Sequence, residues 1–357
     1  MPLPTLSLED LGWSDFFRSQ LSSDESEQLN SQSLVPLRIT NVHRIRLHAR
    51  GTNCSHILVP IKNQNAANFA VGDWVLTDLI TGHIQRVLER KTVLQRLVSR
   101  SKQPQLIAAN IDTLFIVSSC NADFKTGWID QFLAMASQAD VTPVVILTKS
   151  DKTDNPISWI EQAKGLSPSL NVEALNAHDP AQVHRLEKWC QPGQSIAMIG
   201  SSGVGKSTIL NTLCELDTAT GAIRESDAQG RHTTTARSLH QTKPGGWLVD
   251  TPGIRALHLY EAEKGISRLF SEITELTEKC HFRDCTHNDE PGCALKVALS
   301  DRTLDLTRYK RWQKLLEDSR KLFDTPDETP LSRQEQRRIS KALKQDQKRL
   351  KRKPDRS

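Results

Sequence analysis

Gly200-Ser201-Ser202-Gly203-Val204-Gly205-Lys206-Ser207 is the stretch that decides the fold class, because it matches G-x-x-x-x-G-K-[ST] in full. The apolar run Ser195–Ile199 enters it, and Thr208–Leu216 leaves it with helical spacing. Strand, glycine-rich loop and helix in that order turn successive backbone N–H groups and a helix N-terminus towards one point, which is a cradle for phosphates. Glycines at 200, 203 and 205 let the backbone approach an anion closely. Lys206 is expected on the β- and γ-phosphate oxygens, the Ser207 hydroxyl on Mg²⁺, and Thr208 as the next nucleotide contact.

Working outward, short apolar runs alternate with helical ones. Strands are expected at Leu114–Ser118, Pro143–Leu147, Ile196–Ile199 and Trp247–Val249, and helices at Trp128–Gln138, Gln182–Cys190 and Ser207–Leu216. That rhythm predicts a parallel sheet with helices on both faces. Downstream of the loop, Asp250-Thr251-Pro252-Gly253 ends a strand as a Mg²⁺-linked Asp and a γ-phosphate-sensing Gly should. Upstream, Thr148-Lys149-Ser150-Asp151 follows the run Val144–Leu147 and matches [NT]-K-x-D. A carboxylate at 151 accepts both the N1 and N2 hydrogens of guanine, which adenine does not offer, so the expected nucleotide is GTP rather than ATP. Asn176-Ala177 sits where a Ser-Ala pair would back the base, with the Ser absent. Base recognition therefore precedes the phosphate loop, the reverse of the usual order. One sheet can still assemble both, and the domain reads as circularly permuted.

The chain has 357 residues, enough for several cores. The expected organisation is a flexible acidic leader (1–36), a barrel of the oligonucleotide-binding type (37–100), the permuted domain (101–260), a helical zinc-binding module (261–325) and a basic tail (326–357). The barrel rests on short runs at Arg38–Ile45, His56–Pro60, Asp73–Leu79, His83–Leu88 and Val93–Leu97. Hydrophobic residues make up 37% of the chain with no apolar run near the roughly 20 residues of a membrane span. Seven cysteines, an odd number without a secretory pattern, argue against a disulfide framework, and a cytoplasmic protein is expected. Charge is concentrated. Residues 37–102 carry eleven Lys/Arg against three Asp/Glu, and residues 333–357 repeat that balance, so both regions are expected to attract a polyanion.

Cys280, Cys285, His287 and Cys293 fall within fourteen residues. Three thiolates and one imidazole complete a zinc tetrahedron with no open position, which predicts one structural Zn²⁺. A water-positioning Gln is missing, because Gly253 is followed by Ile254. The nearest replacement is His232 in Gly230-Arg231-His232-Thr233-Thr234-Thr235, with Thr234 or Thr235 meeting Mg²⁺.

These motifs, together with Gly72-Asp73-Trp74-Val75 and Gln105–Asp112, resemble the ribosome small-subunit-dependent GTPase family, RsgA, from about residue 37 to about 320. Thr148, Asn176, the acidic leader and the long basic tail depart from its pattern. The resemblance implies a GTP hydrolase stimulated by the 30S ribosomal subunit, contact with 16S rRNA, and a role in late subunit maturation. A monomer without membrane association is expected. A GTP-gated RNA-binding module with weak or no hydrolysis fits the same residues and stays open at this point.

Overall fold

The computed structural model describes residues 6–43, 45–52, 54–60, 65–78, 80–98, 101–214, 237–250, 258–259, 262–288 and 290–324. The stretch expected as a flexible leader is packed instead. It carries α1 (Asp15–Arg18) and α2 (Ser23–Asn30), the latter closed by a capping box between Ser22 and Glu25. Leu11, Trp13 and Phe17 are buried, and the Trp13 ring meets Trp74 edge-on at 4.9 Å. It has an apolar face that only a partner surface completes.

Strands β1 (Leu34–Val42), β2 (Leu47–Arg50), β3 (Ser55–Leu58), β4 (Trp74–Asp78) and β5 (Ile84–Val87) pair antiparallel in the order β3-β2-β1-β4-β5. Alternate residues, among them Leu37, Ile39, Leu47, Ala49, Leu58, Val75 and Ile84, share one core. Two boundaries differ from expectation. The run 38–45 is not one strand: the chain turns after Val42, with His43 N–H donating to the Arg46 carbonyl, and β2 follows. The segment expected as the fifth barrel strand, β6 (Val93–Val98), instead pairs with β7 (Ser101–Ala109) in a separate sheet.

The nucleotide-binding sheet contains β8 (Thr113–Ser119), β9 (Thr142–Thr148), β10 (Asn171–Ala174), β11 (Ser195–Gly200), β12 (Ser238–Gln241) and β13 (Trp247–Asp250). Their spatial order is β10-β9-β8-β11-β13-β12. The first five are parallel, and β12 runs antiparallel to β13. Residues along β8 divide by period: Leu114 and Ile116 enter one core, Phe115 and Val117 the other, so the sheet is buried on both faces. Helices α3 (Thr126–Gln138), α4 (Pro156–Lys164), α5 (Pro180–Val183) and α6 (Lys206–Cys214) make the crossovers. β12 also joins the barrel, through the pair Asn41↔Ser238 on β1. β14 (His258–Leu259) then returns to β6.

Beyond it lie α7 (Ala262–Leu269), α8 (Ser271–Thr277), α9 (Ala294–Ser300) and α10 (Leu306–Asp324). Arg311 on α10 clasps the buried Asp130 on α3, its Nε 2.9 Å from Oδ2, and so ties this helical module to the sheet. No helix among the described residues is long and apolar enough to cross a membrane.

Candidate functional site: the nucleotide pocket and the Cys/His knuckle

β11 is the central strand of its neighbourhood, flanked by β8 and β13, and its C-terminal end opens into the glycine loop. A Cβ on Gly200 would lie 2.5 Å from the Val117 carbonyl oxygen, so only glycine lets the loop leave the sheet this close to β8. Gly205 has φ +99°, and a Cβ there would sit 3.3 Å from the Ala177 Cβ and 3.4 Å from the Thr148 Cγ2. The turn after β9 and the glycine loop are therefore in contact, although Thr148 and Val204 lie 56 positions apart in the chain. Thr148 is fully buried, and its hydroxyl donates to the Val204 carbonyl at 2.6 Å, with the Ser118 carbonyl 3.0 Å away. A threonine thus secures the loop where asparagine is the commoner residue. Lys206 Nζ donates to the Gly200 and Ser201 carbonyls, each at 2.7 Å, folding the ammonium over the loop. Ser207 and Thr208 occupy the first turn of α6.

Lys149 adopts the left-handed conformation, φ +58°, and starts the turn Ser150–Lys152 that carries Asp151 at the surface. Its Nζ lies 3.5 Å from Asp123 Oδ2. Burial, with a smaller contribution from the Asp151 carboxylate, pushes the Cys120 thiol up to about 11, so this cysteine is an inert neighbour of the base site. Asn176 N–H donates to Gln182 Oε1, and its own side-chain oxygen accepts from His178 N–H. Ala177 lies against the glycine loop at Gly205.

Asp250 closes β13, level with Met198 on β11 and Ser238 on β12. Across β12, His240 is held below the usual imidazole range by burial, against an opposing pull from the Asp250 charge. Gly253 and the Gly230–Thr235 segment, including His232, Thr234 and Thr235, lie outside the described residues.

The knuckle was legible to the residue. The ligand atoms of Cys280, Cys285, His287 and Cys293 all lie within 4.8 Å of one another. His287 Nδ1 is 3.6 Å from Cys280 Sγ and 3.7 Å from Cys293 Sγ, and those two sulfurs are 4.0 Å apart. A tetrahedron with zinc–ligand bonds of ordinary length requires S···N near ~3.6 Å and S···S near ~3.8 Å, so the donor set fits zinc. His287 has φ +63°, which turns the imidazole back onto the thiols after a one-residue gap, and its ring packs 6.0 Å from that of Trp312 on α10.

The family model described as RsgA GTPase matches residues 87–260, spanning the base motif, the phosphate loop and Asp250. A protein from Mesorhizobium japonicum described as small ribosomal subunit biogenesis GTPase RsgA is 48% identical over 317 residues, 88% of this chain and 90% of that one. This chain belongs to the RsgA GTPase family. A Vibrio vulnificus relative described as RsgA 2 is 43% identical over 87% of the chain and 88% of its own length. The crystal structure of YjeQ from Thermotoga maritima shares the fold at TM-score 0.58 and 24% identity, covering 80% of this chain and 98% of that one. YloQ, described as a circularly permuted GTPase, gives 0.57 at 21% identity over 81% and 96%. A model of the ABC transporter domain also matches residues 183–342. It overlaps the glycine loop and excludes Thr148–Asp151.

Within this RsgA chain the basic stretch 37–102 is less available than its charge suggests. Arg38 is fully buried, donating to the Leu11 carbonyl at 2.6 Å, Ser195 Oγ at 2.7 Å and the Asn110 carbonyl at 3.2 Å. Desolvation brings it down to about 10, partly offset by Asp112 and Asp73. Arg86 pairs with Glu25 of the leader at 3.2 Å, Arg90 with Asp73 at 2.7 Å, and Lys91 with Asp112 at 3.5 Å. These cations hold leader, barrel and sheet together. Sequence counting could not separate them from cations facing outward.

Proposed function

We propose that this chain hydrolyses GTP to GDP and phosphate in the biogenesis of the small ribosomal subunit, the role named in its relatives' descriptions. The observation that supports the reading is the buried Thr148 hydroxyl on the Val204 carbonyl, which joins the turn Thr148–Asp151, the candidate for base recognition, to the glycine loop. In this reading Lys149, Ser150 and Asp151 receive the base, with Asp151 accepting from its N1 and N2 hydrogens. The amides of Gly200–Gly205 and Ser207 surround the β-phosphate, and Thr208 completes the contact at the start of α6. Lys206 exchanges its two carbonyl partners for phosphate oxygens.

Ser207 and Asp250, with Thr234 or Thr235, would hold Mg²⁺, which would supply charge neutralisation on the phosphate oxygens. His232 in its neutral form orients or accepts from the attacking water, since Ile254 has no polar group to do so. Gly253 reports the γ-phosphate. Cys280, Cys285, His287 and Cys293 hold one Zn²⁺ that closes the knuckle and takes no part in hydrolysis.

The ribosomal contact is to the 30S subunit and its 16S rRNA, made by a monomeric cytoplasmic protein through basic surfaces that include the tail beyond residue 325. GTP turnover by the full chain is to be measured with and without purified 30S subunits. Stimulation is expected, and a rate indifferent to them overturns the ribosomal half of the proposal while leaving the GTPase half standing.

A further inference from the structure

Where the barrel meets the nucleotide sheet, a cavity of about 510 Å³ opens between β1–β3 and β12. Its wall includes His48, Arg50, Ser55, His56, His240 and Trp247. Two of these residues, His48 and Arg50 on one face of β2, carry a buried side-chain nitrogen without a hydrogen-bond partner among the described residues, His48 Nε2 and Arg50 Nη2. Buried polar nitrogens are rarely left unsatisfied, and two beside one cavity mark a place where a partner belongs. Among the described residues the lining contains no carboxylate to fill that role from within.

The donors have a consistent chemistry. Arg50 remains a cation although burial lowers it, and its guanidinium lies 5.5 Å over the Trp247 ring. Trp247 is itself fixed by its Nε1 donating to the Asp10 carbonyl at 2.7 Å, so the guanidinium rests on an anchored plane. His48 is held below the usual imidazole range by burial and by its neighbours His43 and Arg46, and a neutral imidazole still offers one N–H. On β2, His48 and Arg50 are two residues apart and share a face, and Ser55 stands opposite Arg50 in the β2–β3 register. A guanidinium, imidazoles and a hydroxyl without a competing acid select a tetrahedral oxyanion.

We infer that this cavity is a second anion site, separate from the glycine loop, which binds a phosphate ester between the barrel and the β12 edge of the nucleotide sheet. Among the described residues, barrel and sheet share the single strand pair Asn41↔Ser238 at this seam. A phosphate held by β2 on one side and facing β12 on the other adds a clasp to that narrow connection. The ester has two sources, the backbone of a nucleic acid or a free phosphorylated small molecule.

The test uses the full chain with GDP filling the glycine loop, so that neither probe reports on that loop or on GTP hydrolysis. Histidine-ring ¹⁵N spectra are followed while inorganic phosphate, or a single-stranded RNA of about eight nucleotides, is added. Saturable movement of the His48 Nε2 signal is expected, weakened at least about tenfold in Arg50→Gln while GDP binding is retained. RNA saturating the signal far below phosphate supports the site with a nucleic-acid source, and comparable saturation supports it with a small-molecule source. Should Arg50→Gln fail to fold, His48→Gln takes its place, read on the ring signal of His240 in the same lining, with GDP affinity as the folding control and retained phosphate affinity as the adverse result. A His48 signal that neither probe moves, or affinity unchanged in the folded variant, overturns the inference.

Discussion

The proposed nucleotide pocket is gathered from residues 148–151, 176–177, 200–208 and 250, whereas the Cys/His knuckle is complete within 280–293. The pocket's members are strand ends and the turns that follow them, and their positions are set by a sheet buried on both faces. Of the knuckle's four residues only Cys293 is buried, and its neighbourhood consists of turns. One site is held by packing that exists whether or not a ligand is present. The other brings four candidate metal donors together in turns at the rim of the core, three of them only partly buried, so a bound zinc would supply folding energy there. The pocket should therefore tolerate loss of the knuckle's metal, and substitutions should act on nucleotide chemistry according to how directly they touch the pocket.

The largest effect on turnover is expected from His232→Ala. Removing a group that positions or deprotonates water costs about 10²- to 10⁴-fold in 30S-stimulated kcat, with GTP affinity retained. Turnover at the full stimulated rate would remove His232 from the chemistry. Next comes Asp151→Asn, which replaces an acceptor that guanine requires by a side chain able to donate. GTP affinity should fall by about 10- to 100-fold and xanthosine triphosphate should be preferred; competition between the two nucleotides reads the switch directly, and an unaltered preference for GTP would place the base elsewhere.

Thr148→Val tests the contact between the two halves of the pocket. It leaves the Val204 carbonyl without its 2.6 Å donor in a fully buried place, at a cost of roughly 1–3 kcal/mol. Lower melting temperature and weaker GDP binding are expected together, with Thr148→Ser recovering both. A fall in stability without any change in GDP affinity would show that the loop keeps its shape unaided.

Cys285→Ser, or chelation, is expected to affect the nucleotide least. Zinc content should drop from one per chain and protease sensitivity should rise around 280–293, while GDP affinity stays within about twofold. Protein purified without any zinc would break the comparison at its source, and loss of nucleotide binding on chelation would show the two regions to be one cooperative unit.

Motif spacing carried the sites further than it carried the boundaries. The glycine loop, the Thr148–Asp151 turn and the Cys/His knuckle are short, chemically demanding patterns, and each is found where its flanking apolar runs predicted. Elements without such patterns escaped: β2 is four residues long and follows a turn that composition does not mark, and β12 is a polar edge strand with Leu239 as its buried member. The leader has an apolar face that the sequence shows as a possible short amphipathic helix, but whether Leu11, Trp13 and Phe17 enter a core depends on the surface they meet, which no local pattern marks.

By itself the sequence determined the GTPase family of this protein, its permuted motif order and a Cys/His cluster whose donors fit zinc. These follow from residue types at fixed local spacing, and local spacing survives in one dimension. Only the tertiary structure decided that Thr148 reaches the loop at Val204, that Arg38, Arg86 and Arg90 face their own chain rather than a partner, and that His48 and Arg50 meet β12 across a cavity. Those contacts join residues far apart in the chain, and their partners are chosen by which faces the sheets and the barrel bury against each other.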